Sequence, residues 1–369
     1  MFLIKLLLFF VVLSLIVLVH EFGHFIWAKV FNVFIYEFSI GMGPLVFSHK
    51  GKDGIDYNFR ALPIGGYVSM AGEVYEDDDN EKIPKERFMC NRPWWQRLII
   101  LCAGVFNNFV LALVLLFTIA CIWGGATYKP IISEIQKDSA AEKAGLVAGD
   151  RIVKINGKKV SSWEVGQILL IMKDKDGIYD FSIRHKDGKV EEYHIKPNKV
   201  IDEETKKETQ VFGIGIKQSI SKSFGGHIKY AFTKFGTLVA SLWYTLGGLF
   251  TGKIALSNLS GPVGIYQVIG STFTYKLSAA FNFLLYITAY LSLNVGIMNI
   301  LPFPAFDGGR VFFILVEKIK GSPVNSKFEN ICHTIGFVLL MILMVIVSFN
   351  DILGVLKWKK YWVLLELFC

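Results

Sequence analysis

Long apolar runs separated by polar segments organise this 369-residue chain. A helix needs about 20 consecutive, mostly apolar residues to cross a membrane. Three stretches meet this requirement: residues 2–19, with a helix continuing to about 30, residues 98–123 and residues 277–300. A fourth run, residues 335–349, is short by itself and is completed by the residues beside it. The pattern therefore predicts about four transmembrane helices.

Two further interpretations concern the apolar runs. Residues 232–250 contain Lys234 and several Gly, Thr and Ser residues, which predicts an interfacial or packed helix rather than a fifth span.

The first run resembles the core of a signal peptide in length, but it lacks a small-residue cleavage site. We therefore expect it to be retained as a helix.

Alternating strand-like runs mark a soluble region at about 128–220, between the second and third spans. Its runs RIVKING, YDFSIRH, EEYHIKP and VFGIGIK are separated by turn signals such as Asn156-Gly157. A second polar region, residues 32–97, contains PLVFSHKGKDGIDYNFRALPIGG, which predicts a hairpin. The acidic stretch that follows, EVYEDDDNE, is typical of a solvated loop.

Composition supports a membrane protein. Hydrophobic residues make up 53% of the chain and charged residues 19%, against about 25% charged in ordinary globular domains. The net charge is +8, but the basic residues are spread over loops without a basic tail, which favours a membrane surface over nucleic acid. The five cysteines include no CxxC pair, so neither a disulfide framework nor a thiolate zinc site is predicted.

The basic residues of different loops predict opposite orientations of the chain in the membrane. The loop after the third span is basic, which places it in the cytoplasm, whereas the lysines at 357, 359 and 360 beyond the fourth run point the other way. The soluble region is long enough to be translocated whatever its charge.

The segment LIVLVHEFGHFIWA, residues 15–28, places chemistry inside the first apolar run. His20 and His24 are one helical turn apart, so both imidazoles lie on one face. HExxH on a helix is the zinc-peptidase pattern, in which two histidines bind the metal and the glutamate, here Glu21, is the general base. A charged glutamate at membrane depth costs several kcal/mol if unpaired, which favours a functional role. The alternative is a chance pattern of packed histidines.

A catalytic zinc site needs a third protein ligand and keeps its fourth position open. Asp307 is the candidate, because it follows the third span in MNILPFPAFDGGR. Pro302 and Pro304 interrupt the helix there, and such broken backbone at membrane depth occurs only where it is buried or lines a wet cavity. The alternative is a carboxylate that caps the next helix. The carboxylate and HExxH together predict a metal site more strongly than either alone.

These motifs resemble those of the site-2 proteases, a family of intramembrane zinc metalloproteases, and most closely the bacterial RseP-type members. HEFGHF matches the family's HExxH, and NILPFPAFDGG resembles its NxxPxPxLDG, with Phe306 replacing the usual Leu. AGVFNNFVLA resembles AGPxxNFxxA, with Val105 where Pro is usual, and LSGPVGI and LPIGGYVSM also look like family stretches. The resemblance implies Asp307 as third ligand, and substrate contacts by Asn299 and Asn108.

The soluble region has a resemblance of its own. SAAEKAGLVAGDRIVKINGKKV, residues 139–160, is similar to a PDZ domain of bacterial proteases, and the block occurs once, as in a single-PDZ form. PDZ domains bind peptides by adding a strand to a sheet edge. The hairpin at residues 45–62 would either offer an edge strand to an unwound substrate or act as a scaffold at the membrane surface.

The expected fold is a multi-pass α-helical membrane protein with about four transmembrane helices, an inserted α/β PDZ domain and a membrane-associated β-hairpin. The expected order is helix 1 at 1–31, the hairpin loop at 32–97, helix 2 at 98–123, the PDZ domain at 125–220, an interfacial helical region at 221–275, helix 3 with the Asp-Gly motif at 276–310, and helix 4 with the tail at 311–369.

The resemblance implies a Zn²⁺-dependent endopeptidase of the bacterial inner membrane, with its PDZ domain on the periplasmic side. Its expected partners are transmembrane protein substrates, such as anti-sigma factors or remnant signal peptides, the lipid bilayer, and a peptide bound by the PDZ domain, without nucleic acid. Two alternatives stay open: a membrane-anchored zinc peptidase acting on soluble peptides, and a non-catalytic PDZ scaffold.

Overall fold

The computed structural model describes residues 2–73, 83–172, 177–201, 208–255 and 259–356. Two compact units are formed, one from Met1–Leu115 with Gly261–Phe349 and the other from Leu116–Ser260 with Asn350–Cys369. The acidic stretch predicted as a solvated loop falls almost wholly outside the described residues.

The first unit is mostly helical. Its helices are α1 (Phe2–Val30), α2 (Trp94–Trp123), α6 (Pro262–Gly270), α7 (Leu277–Ile300), α8 (Asp307–Lys320) and α9 (Ser326–Leu356), and two of them, α2 and α9, extend past the boundaries of the unit in the chain. Within the described ranges, four helices are long and apolar enough to cross a membrane: α1, α2, α7 and most of α9. Apolar side chains cover even their exposed surfaces, as in helices that face lipid. The prediction of four membrane-spanning candidates is confirmed.

The ends of these helices follow from local sequence. α7 ends at Ile300, before Pro302 and Pro304, neither of which can donate a backbone hydrogen bond within a helix. Asp307 then begins α8, so the Asp-Gly motif does not belong to helix 3 as expected; the predicted boundary at 310 divided this amphipathic helix between the third and fourth segments. α8 ends at Lys320 and is capped by Gly321, whose φ of 76° is the left-handed conformation that glycine adopts at helix ends.

The predicted hairpin is present and is longer than expected. β1 (Ile35–Lys50) pairs antiparallel with β2 (Asp56–Met70), with repeated register shifts that mark bulges. Its base packs into the core of the first unit, where Phe38 and Val68 join Phe25 of α1 and Ile100 of α2. Its far half exposes apolar side chains: Met42, Leu45, Val46, Phe47, Phe59 and Leu62. Such a surface suits membrane association, which stays a prediction.

A second core joins α1 to the helices near the other end of the chain. Phe9, Val12 and Ile16 of α1 pack against Ile269 of α6 and Ile287 of α7. This contact extends along the buried face of α1 that also carries the two histidines.

The second unit contains an antiparallel sheet in the order β10-β3-β4-β6-β7, with β5 paired to β4. Its elements are β3 (Gly125–Ile135), α3 (Ala140–Lys143), β4 (Arg151–Ile155), β5 (Lys158–Lys159), α4 (Trp163–Ile171), β6 (Tyr179–Arg184), β7 (Val190–Ile195) and β10 (Ile214–Ser221), with a separate pair of β8 (Asn198–Ile201) and β9 (Glu208–Val211). Each of the four strand-like runs named above forms a strand. The core contains Ile152, Ile155, Phe181 and Ile183.

Helix α5 (Phe224–Phe250) packs against the sheet domain of the second unit. Nζ of Lys234 lies 2.7 Å from Oε1 of Glu164, and Tyr244 packs on the domain core. The opposite face exposes four aromatic side chains: Phe224, Phe232, Trp243 and Phe250. The expectation of a packed helix rather than a fifth span agrees with this arrangement, and its interfacial position stays a prediction.

Candidate metal centre

Two glycines bring α2 into backbone contact with α1 at the histidine pair. A Cβ on Gly23 would lie 2.4 Å from the carbonyl oxygen of Ala103, and one on Gly104 would lie 2.5 Å from Nε2 of His24. Both histidines lie on the buried face of α1, and His20 is 6% exposed and His24 5%. The close approach fixes both imidazoles between the two helices.

The two imidazoles converge with Asp307 on one point. Nε2 of His20 lies 3.0 Å from Oδ2 of Asp307, Nε2 of His24 lies 3.3 Å from the same oxygen, and the two Nε2 atoms are 3.2 Å apart. Among the described residues, these three form the one His, Cys, Asp and Glu group compact enough to hold a metal. Side chains that are 287 positions apart are thereby brought together.

This triangle fits a zinc ion. Tetrahedral zinc with ligand bonds of about 2.0–2.1 Å holds its ligand atoms about 3.3 Å apart, close to the distances seen here. Oδ2 of Asp307 is the oxygen that both Nε2 atoms approach, so one carboxylate oxygen completes the triangle.

The proton position on His24 follows from its second contact. Nδ1 of His24 lies 2.8 Å from the carbonyl oxygen of Ile100 in α2. Because a carbonyl oxygen only accepts, Nδ1 carries a proton, and Nε2 is the ring atom left for a metal. Metal-binding histidines are commonly oriented in this way by their other nitrogen.

Glu21 lies beside this triangle and is not a member of it. Its side chain is partly buried, and Oε2 accepts a hydrogen bond of 3.3 Å from the backbone N–H of Val68 in β2. The glutamate is thus adjacent to His20 in sequence, and its carboxylate is held by the hairpin. A group beside the metal site, rather than part of it, is what a general base requires.

The two asparagines predicted to contact substrate differ in their surroundings. Asn299 is partly buried in the last turn of α7, before the break that leads to Asp307. Asn108 is 0% exposed, and its side chain approaches His20 Nδ1 at 3.3 Å. The position of Asn299 is compatible with its predicted role, whereas that of Asn108 favours a role within the protein.

Helix α9 supports the loop that precedes Asp307. The backbone N–H of Ala305 donates to Nδ1 of His333 at 3.2 Å, and Ala305 has a φ of 89°, which a non-glycine residue rarely adopts. A Cβ on Gly336 would lie 2.3 Å from the carbonyl oxygen of Pro304, so the loop lies directly on α9. Sequence reasoning missed these contacts, because a single histidine in an apolar run signals nothing by itself.

Two ion pairs hold α8 at its ends. Arg310, one turn after Asp307, pairs with Glu73, which follows β2. Nη1 of Arg97 in α2 lies 2.7 Å from Oε2 of Glu317, with both side chains less than 15% exposed. No local sequence pattern pairs these residues, which are 237 and 220 positions apart.

Comparisons with known proteins agree with a metal centre. Residues 8–343 match the sequence profile of peptidase family M50. The zinc metalloprotease RasP of Geobacillus kaustophilus is 31% identical, covering 93% of this chain and 96% of that protein. The regulator of sigma-W protease RasP of Bacillus subtilis is 29% identical, covering 93% of this chain and 97% of that protein.

One solved structure also matches part of the chain. The crystal structure of the PDZ domain of an SdrC-like protein from Listeria innocua is 27% identical, covering 24% of this chain and 92% of that one, with a TM-score of 0.20. A TM-score of this size carries no conclusion about the fold.

Proposed function

Because the chain belongs to peptidase family M50 and is a zinc metalloprotease, we propose that it is an intramembrane endopeptidase that hydrolyses peptide bonds within transmembrane segments. One observation carries the proposal. His20, His24 and Asp307 converge on one point, and the histidines belong to a helix apolar enough to cross a membrane. A bond must be brought to that depth to be cut, so a membrane-spanning substrate fits better than a soluble peptide.

The proposed roles follow from the chemistry of the side chains. His20, His24 and Asp307 are the metal ligands and Glu21 is the general base. A zinc ion held by these three residues would polarise the scissile carbonyl and lower the pKa of the attacking water. Glu21 takes the proton from that water and later delivers it to the leaving amine, and the Val68 N–H orients its carboxylate.

The hairpin is the proposed substrate-presenting element. A helical substrate hides its carbonyls in hydrogen bonds, so it must unwind before attack. β2 lies beside Glu21, and β1 and β2 form a two-stranded sheet among the described residues. An unwound segment can add to such a sheet as a further strand. Asn299 then offers its amide to the freed backbone of the substrate.

The second unit completes the proposal. The PDZ-like block at residues 139–160 contributes β4 and β5 to the antiparallel sheet of this unit, and we assign this unit peptide binding on the periplasmic side of a bacterial inner membrane. The name of the Bacillus subtilis relative, a regulator of sigma-W, supports a regulatory membrane protein such as an anti-sigma factor as substrate.

The test uses the purified full-length protein in lipid vesicles with a model substrate that has one transmembrane span. The wild type should cut it, whereas Glu21→Gln should lower the rate at least about 100-fold, the usual contribution of a general base. Glu86→Gln, a matched change at an exposed glutamate of the same unit, should cut normally.

A soluble peptide with the same cut site separates the two enzyme hypotheses. The proposal predicts slower cleavage of this peptide than of the spanning substrate. Faster cleavage of the soluble peptide would instead support a membrane-anchored peptidase. Equal cleavage by wild type and Glu21→Gln would refute the assigned role of the glutamate.

A further inference from the structure

Asn108 is buried beside a proposed zinc ligand in an unusual way. It belongs to α2, it is 0% exposed, and its Nδ2 lies 3.3 Å from Nδ1 of His20. Its other amide atom, Oδ1, is buried and has no hydrogen-bond partner among the described residues. A buried polar atom without a partner costs free energy, so this one calls for an explanation.

The protonation of His20 decides which atom of the amide has to face the ring. An imidazole that binds metal through Nε2 is neutral and carries its proton on Nδ1. That Nδ1–H then needs a hydrogen-bond acceptor. The Nδ2 amine of Asn108 cannot accept a hydrogen bond, whereas the Oδ1 atom of the same amide can. Half a turn of the amide exchanges the two atoms, so that Oδ1 faces Nδ1–H of His20 and the Nδ2 amine takes the position that lacks a partner among the described residues. The turn breaks no contact except the one it replaces.

The other histidine has the same arrangement. His24 directs its Nδ1 to the carbonyl oxygen of Ile100, which also belongs to α2. Both rings thus place their second nitrogen against an oxygen-bearing group of one helix. For His24 the acceptor is backbone, whereas for His20 it is a side chain that substitution can remove.

The surroundings of Asn108 hold it in place. Its main-chain carbonyl accepts a hydrogen bond of 2.9 Å from Oγ of Ser292 in α7, and Ser292 is itself 0% exposed. α7 approaches this turn closely, because a Cβ on Gly296 would lie 3.5 Å from Cβ of Asn108 and 2.6 Å from the ring of Phe109. Because its backbone is held in this way and its side chain is fully buried, Asn108 can orient the ring of His20 but has no exposed surface for a substrate.

We infer that Asn108 is a positioning residue: its side-chain carbonyl accepts a hydrogen bond from Nδ1–H of His20 and thereby fixes the tautomer and orientation that leave Nε2 for zinc. This inference rests on the proposed zinc site, and it differs from the substrate contact that the motif resemblance implies. Removal of such an outer partner typically weakens metal binding by about 10–100-fold.

The experiment measures zinc affinity of purified full-length protein by competition with a chelator. Asn108→Leu and the smaller Asn108→Ala remove the acceptor and should weaken zinc binding by about 10–100-fold. Asn108→Asp keeps an acceptor and should bind zinc within a few-fold of wild type or more tightly. Asn107→Leu is the matched control, because the side chain of Asn107 donates to the carbonyl oxygen of Val19 at 3.2 Å; its zinc affinity should stay unchanged.

Thermal unfolding of the same variants separates positioning from simple packing. A lower melting temperature with wild-type zinc affinity in Asn108→Leu and Asn108→Ala would overturn the inference, as would an Asn108→Asp variant as weak as Asn108→Leu. If the leucine variant does not fold, the alanine variant decides. A wrong zinc site can be distinguished from a wrong role for Asn108. If His20, His24 and Asp307 do not bind zinc, His24→Ala will keep its zinc.

Discussion

Gly104 lies directly against the two histidine rings, and Gly104→Ala should disable the metal centre. An ideal Cβ there would lie 2.5 Å from Nε2 of His24 and 2.7 Å from Cε1 of His20. Glycine within a helix costs about 0.5–1 kcal/mol relative to alanine, so helix propensity alone predicts a stabilised α2. We expect the steric effect on the rings to dominate.

The size of the effect follows from the distances. Ordinary van der Waals contact of a Cβ begins at 3.4 Å, so the His24 ring would have to retreat by about 0.9 Å. The ring has little freedom to do so, because Nδ1 of His24 is tied to the carbonyl of Ile100. Functional sites tolerate displacements of about 0.5 Å, and a shift of about 1 Å can cost about 100-fold in rate. Cleavage should fall at least about 100-fold, and zinc affinity by about 10-fold or more.

The assay combines zinc competition with the rate of cleavage of a single-span substrate in vesicles. Gly236→Ala in α5 is the control, because a Cβ there meets nothing within 4 Å. The control should keep both properties. Wild-type zinc affinity and rate in Gly104→Ala would mean that the rings are not held against α2, and the assignment of this contact would be wrong.

Further outcomes are expected from the same structure. A strong chelator should abolish cleavage and added Zn²⁺ should restore it, while His24→Ala should lose bound zinc in elemental analysis; unchanged zinc content would refute the ligand set. Arg310→Met leaves the carboxylate of Glu73 without its partner and should lower the stability of the protein by about 1–3 kcal/mol in thermal unfolding, and adding Glu73→Gln should restore much of the loss. Single cysteines at Lys158 and Lys85, in a protein without its native cysteines, should label from opposite sides of the membrane in intact cells; equal labelling would contradict the proposed topology.

Much of the membrane architecture could be predicted, because apolar length and period are local properties. The apolar run at 277–300 became α7 with the same ends, since Lys276 precedes it and Pro302 follows its last residue closely. α8 was not predicted as a separate helix and was divided at residue 310 between the third and fourth segments, because its amphipathic sequence mixes charges into an otherwise apolar region and it starts directly at the Asp-Gly motif. The hairpin extends beyond its predicted strands because bulges hide the alternation near its base.

The residues that carry the chemistry of the site could be predicted from the sequence, but the residues that hold them in place could not. The spacing of His20 and His24 and the broken backbone before Asp307 are visible in sequence. The contacts of Asn108 with His20 and of His333 with Ala305 depend on which helix faces arrive together, and no local pattern encodes that. The role of Asn108 is therefore a case in which packing, rather than motif position, suggests the chemistry.

The most direct test of the account is the position of the cut. Purified protein and a single-span substrate are combined in vesicles, and the new termini are mapped by mass spectrometry. The account predicts termini inside the transmembrane segment, produced by the wild type with zinc and absent with Glu21→Gln. Termini confined to the soluble flanks, or the same termini with Glu21→Gln, would contradict intramembrane proteolysis at this site.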